Sequence, residues 1–131
     1  MNAGTLDLLN KAEKAILAAE KLLDDESLVQ FSIGRAYYAM FYVAEALLNE
    51  KGIHYSKHGK VQAAYGEHFA KTNILDPRYH RWLLNAFDRR NIGDYGIQIE
   101  FNLDEAQELI NQAKDFLNAA YNYLNIAQNT P

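Results

Sequence analysis

The 131-residue chain has no cysteine, only two prolines and seven glycines, and no uninterrupted apolar run of membrane-spanning length. Without cysteine it has no disulfide framework, no thiolate metal site and no thiol nucleophile. So few turn-forming residues argue against an all-β chain, which would need many more. The richest apolar stretch, Ala36 to Leu48, is interrupted by Glu45 and falls short of the roughly 18 residues a span requires. Met1-Asn2-Ala3-Gly4 offers neither a basic nor an apolar leader segment, so the expectation is a cytoplasmic protein with no membrane contact. Catalytic signatures are equally scarce. There is no Gly-x-Ser-x-Gly elbow, no glycine-rich phosphate loop and no Glu-x-x-His pair of the di-iron bundles. His54 and His58 stand four apart, a usable ligand spacing, but Ser56 is expected to open a helix between them, so neither a metal nor a cofactor is expected.

What the chain does have is apolar and aromatic content, at 49% hydrophobic and 12% aromatic. That excludes disorder as a global state and suits a single domain over residues 1–131. The net charge of −4 hides a split. Between Lys51 and Arg90 eight basic residues face three acidic ones, and all four histidines lie there; the remaining residues are strongly acidic. An anionic partner for one face is one reading of this asymmetry, and a solvated basic face neutralising its acidic neighbours is the other.

Apolar residues recur with helical spacing throughout and predict an all-α, up-down bundle with helices at about 5–23, 27–51, 57–71, 77–90 and 103–127. Leu9, Ala12, Ile16, Ala19 and Leu23 draw one stripe on the first helix, with Thr5 as its expected cap. The second carries Val29, Ile33, Ala36, Met40, Val43 and Leu47, ends at Gly52, and is apolar nearly all round, which predicts that other helices enclose it. Ser56 is the expected cap of the third helix, with Val61, Tyr65 and Phe69 inward. Asp76-Pro77 opens the fourth, after which Asn91 to Phe101 reads as a loop or short extended piece. Asn102 and Glu105 form a capping box for the fifth, whose stripe runs Leu103, Ala106, Ile110, Ala113, Leu117, Ala120, Leu124.

Polar groups that interrupt these stripes are the candidate site. Arg35 and Glu45 share one face of the second helix with Tyr38 and Tyr42. An arginine in so apolar a helix must be paired or face a cleft; a buried bridge to Asp94 or Glu45 is the structural alternative. Lys57 and His58 open the third helix, where the dipole favours a neutral imidazole. Arg90, Asp94 and Tyr95 leave the fourth, and a bend at Gly93 would be needed to bring Arg90 and Tyr95 together.

Three segments in order, Arg35-Ala36-Tyr37-Tyr38-Ala39-Met40-Phe41, then Ser56-Lys57-His58, then Arg90-x-x-x-Asp94-Tyr95, resemble the HEPN domain family in its small stand-alone prokaryotic members. The resemblance covers about Ser27 to Leu124. It implies a bundle that pairs through its functional face into a homodimer. Many members are toxin-like or defence-associated ribonucleases, and many work beside a minimal nucleotidyltransferase partner. Active members carry Arg-x4-6-His, whose histidine helps a 2′-hydroxyl attack its own phosphate without metal. Here Arg90 matches the arginine, but Tyr95 stands at the histidine position. A tyrosine with a pKa of about 10 is only about one part in a thousand phenolate at neutral pH, a poor base. The expectation is therefore a nucleotide- or RNA-binding or partner-binding module in a toxin-antitoxin or defence setting. Arg35, Tyr38, Lys57 and Asp94 are its candidate ligand-binding residues. The alternative is a metal-independent endoribonuclease at the dimer interface, using Arg90, Tyr95 and His58.

Overall fold

The structure, a computed structural model, describes residues 2–95 and 101–126; the side chains of residues 93–95 lie outside that description. It is all-helical over the described residues, with α1 (Ala3–Leu22), α2 (Val29–Asn49), α3 (His58–Tyr65), α4 (Arg78–Tyr95) and α5 (Leu103–Leu124). A 3₁₀ turn, Glu26–Leu28, leads into α2, and a π-helical turn, Gly66–Ala70, prolongs α3. Cross-helix contacts fix the directions. Thr5 meets Glu50 while Ser32 meets Ala19, so α1 and α2 are antiparallel. Tyr79 meets Asp115 while Arg89 meets Glu105, so α4 and α5 are too. The four long helices form an up-down bundle with short α3 inserted between α2 and α4.

α2 sits at the centre and packs against each of the other four helices. Its stripe from Val29 through Leu47 is buried, facing Leu9, Ala12, Ile16 and Ala19 of α1 and Ile110, Ala113 and Leu117 of α5. Each large side chain sealed there contributes about 1.5–3 kcal/mol relative to exposure. The alanines among them let the helix axes approach closely.

Several local expectations hold. Asn102 and Glu105 make the reciprocal capping box, Asp76 accepts from the Arg78 backbone N–H, and Gly52 takes a left-handed φ of 73°. Gly52 and Ile53 donate to Asn49 and Leu48, closing α2 in a Schellman motif.

Others are corrected. Thr5 is not a cap: α1 starts earlier, at Ala3, and the buried Thr5 hydroxyl donates to Glu50 and accepts from Asn49. Ser56 does not cap α3 either; Lys57 occupies the cap position without a side-chain bond. His58, the first residue of α3, stacks on Phe41 of α2. Asn91 to Tyr95, expected as loop, continues α4, so the backbone shows no break at Gly93. A single helical glycine costs only about 1 kcal/mol, which the neighbouring ion pair of Arg89 with Glu105, at 2.7 Å, helps offset. Nor is α2 enclosed all round, since Phe31 is 50% exposed and Arg35 is exposed.

Candidate functional site

Phe31, Arg35, Tyr38, Tyr42 and Glu45 follow each other at spacings of four and three, which aligns them along one side of α2. This is the side the bundle leaves open: Phe31 and Arg35 are exposed, and Tyr38, Tyr42 and Glu45 are half-buried. α4 lies alongside at Gly34. A Cβ there would stand 3.8 Å from the Arg90 Cγ, so the stem of Arg90 runs over this glycine. The guanidinium carbons of Arg35 and Arg90 are 4.8 and 5.2 Å from the centre of the Tyr38 ring. Each gains from the ring's quadrupole, but together they concentrate positive charge on one tyrosine. Leu22, Gln30, Phe31, Gly34, Arg35, Tyr38 and Arg90 line a cleft of about 560 Å³. Among the described residues no carboxylate lies within ion-pair distance of Arg35, so the expected bridge to Glu45 does not form. Burial raises the Glu45 pKa, and the charge of Lys11 partly counters it.

His58 approaches Tyr38 from α3. Its ring stacks on Phe41 at 4.2 Å, meets Tyr38 edge-on at 5.7 Å, and is flanked by Tyr37 and Phe87. Nδ1 is 2.7 Å from the Tyr37 hydroxyl, which also accepts a hydrogen bond from the Gln62 amide at 3.1 Å. Burial, and then the charge of Arg90, lower the His58 pKa and keep the imidazole neutral at pH 7. The sequence reading reached the same neutral state through the helix dipole; the structure adds burial and Arg90 as causes.

The structure thus brings Arg35, Arg90 and His58 against the Tyr38 ring, with His58 behind it and outside the lining of the cleft. It does not bring Lys57 with them: this lysine is exposed and does not line the cleft. The side chains of Asp94 and Tyr95 lie outside the described residues. Sequence reasoning missed the packing of the Arg90 stem over Gly34 and the Tyr37–Gln62 pair. Gln62 did leave a signal, as a polar residue three before Tyr65 and seven before Phe69, on the inward side of α3. Among the described residues no three histidine or acidic side chains stand together to hold a metal, and no helix is long and apolar enough to cross a membrane.

Comparison with known proteins agrees over most of the chain. The family model described as HEPN domain matches residues 5–123. A Methanocaldococcus jannaschii protein named "Putative toxin" is 38% identical over 105 residues, 80% of this chain and 71% of that relative. A UPF0332 protein of Gloeobacter violaceus is 37% identical over 107 residues, covering 81% of this chain and 84% of its own. Another UPF0332 protein, from Thermotoga maritima, is 36% identical over 102 residues, 78% of this chain and 76% of its own.

Proposed function

The chain belongs to the HEPN domain family, and from that premise we propose that the Arg35–Tyr38–Arg90 cleft binds RNA as part of a toxin-like module. One observation carries the reading: two guanidinium groups gathered on a single tyrosine ring at the wall of a cleft. Guanidinium groups bind phosphate through paired charge-assisted hydrogen bonds, and their planes are also stacking surfaces for a base. The cleft volume of about 560 Å³ is of the size that encloses a nucleotide-sized ligand. Two relatives from Methanocaldococcus jannaschii carry toxin names, which fits this setting. The half-exposed Phe31 beside the cleft suits pairing of two copies through this face, and a nucleotidyltransferase is the partner class we assign to the module.

Binding is favoured over cleavage because Tyr95 replaces the family's histidine. The test is an RNA assay in chelator with wild type, Arg90→Ala and Tyr95→His. RNA bound but not cut by wild type, with binding weakened about tenfold in Arg90→Ala and cutting gained in Tyr95→His, supports a binding cleft that lacks its base. Cutting by wild type that disappears in Arg90→Ala makes the protein a metal-independent ribonuclease. Neither binding nor cutting by any of the three rejects the RNA reading.

A further inference from the structure

The two ring nitrogens of His58 meet different surroundings. Nδ1 is held by the Tyr37 hydroxyl. Nε2 makes no hydrogen bond among the described residues, and the His58 side chain is only half-buried. A neutral imidazole carries one proton, so the bond at Nδ1 decides what Nε2 presents outward.

That bond is decided in turn at Tyr37. A phenol has one proton to donate and lone pairs to accept with. The Gln62 side chain, only 6% exposed, donates N–H to the phenol oxygen and cannot take the phenol's own proton through that nitrogen. The acceptor within reach is His58 Nδ1, at 2.7 Å. Tyr37 is fully buried, and burial raises its pKa, so the proton stays on the phenol.

We infer that Tyr37 and Gln62 fix neutral His58 with its proton on Nε2, so that beside the cleft it presents a hydrogen-bond donor for an anionic oxygen and not a base. Tyr37 and Gln62 are positioning residues; His58 is the group that touches the ligand. The ligand, a phosphate oxygen of RNA, rests on the function proposed above, whereas the tautomer does not. One consequence reaches that function: a proton acceptor for a 2′-hydroxyl is missing at the outward nitrogen, so His58 does not replace the base that Tyr95 fails to supply.

The experiment reads the imidazole nitrogens of the full-length ¹⁵N-labelled chain by long-range proton–nitrogen correlation at mildly alkaline pH. The His58 signals are those lost in His58→Gln. A protonated Nε2 with an unprotonated Nδ1 is expected, and in Tyr37→Phe the two nitrogens should converge as the tautomers mix. A proton on Nδ1, or an averaged pair, in the wild type overturns the inference, and that spectrum needs no variant to fold. An unchanged tautomer in folded Tyr37→Phe overturns it as well.

Binding of a fluorescein-labelled single-stranded RNA supplies the second readout. His58→Ala should weaken it about tenfold, the loss of one hydrogen bond to a charged group. His58→Gln keeps an N–H donor and should stay within about threefold. Equal losses in both variants would remove the donor role. Failure of the wild type to bind this RNA rejects the cleft as an RNA site, a result separable from the tautomer read in the unliganded protein.

Discussion

Two aromatic clusters, each holding a histidine, flank Gln62. One comprises Tyr37, Tyr38, Phe41, Phe87 and His58, reached by the Gln62 amide. The other comprises Tyr65, Phe69, Tyr79, Phe116 and His80, with His80 Nε2 3.1 Å from the Gln62 backbone carbonyl. Both also carry guanidinium on aromatic faces. In the second cluster Arg78 lies over Tyr79 and Trp82, but Asp115 and Asp76 stand 3.5 and 4.0 Å from it. Tyr65 stacks on Phe69 and Tyr79 on Phe116, all nearly or fully buried. The first cluster opens on a cleft, and Arg35 there has no carboxylate beside it among the described residues. The same residue types therefore do opposite work. Where charge is neutralised internally and rings are sealed, they hold the fold. Where the exposed Arg35 lies over a half-open ring at a cleft, its charge is left for a ligand to meet.

The comparison breaks first on stability. Phe116→Ala should cost about 3–5 kcal/mol in urea denaturation, whereas substitution of the exposed Arg35 by alanine should stay within about 0.5 kcal/mol. Losses of similar size in both would mean that Arg35 is structural. Next comes Gly66, where a Cβ would stand 2.6 Å from the His80 ring. Gly66→Ala should cost about 1–3 kcal/mol by overpacking. In a His80→Ala background the same substitution should cost much less, and a double-mutant cycle measures the difference.

Binding sharpens the contrast at smaller energies. Arg90→Ala should weaken affinity for single-stranded RNA about tenfold, while Arg78→Ala, in the neutralised cluster, should leave it unchanged. Fluorescence anisotropy at one fixed salt concentration compares them, since phosphate contacts are salt-dependent.

The smallest effect is on pH dependence. The fold lowers the His58 pKa below its usual 6.5, through burial and Arg90. On acidification the unfolded chain takes up this proton first. Stability linked to His58 is therefore whole above about 6.5 and is lost as the pH falls from there through the lowered folded value. His58→Gln should flatten the stability–pH slope between about pH 7 and 5, and an unchanged slope would place His58 in a more open environment.

Much of this was legible in the chain. The stripes on α1, α2 and α5 were read as buried and most of their members are, because one helical face must leave water and its period shows in the sequence. Arg35, Tyr38, His58 and Arg90 were also legible as candidates, since polar groups interrupting apolar stripes stand out. Less legible were helix ends. Thr5 and Ser56 both look like caps, yet one is committed to Glu50 and Asn49 and the other lies outside its helix. A capping residue competes with distant partners, and the local sequence does not contain them. The enclosure of α2 was overread for a related reason, since Phe31 is as apolar as Phe41 but ends up half exposed.

By itself, then, the sequence determined the helical class, the stripes that make the core, the Gly52 and Asn102 boundaries and the residue types of the site. All of these follow from local periodicity and backbone preference, which act over a few residues. Only the tertiary structure decided that Arg35 and Arg90, 55 positions apart, share the Tyr38 ring, that the Arg90 stem packs over Gly34, and that Gln62 and Tyr37 hold His58. Those are contacts between helices. Their geometry depends on how whole faces pack, and no short stretch of chain carries that information.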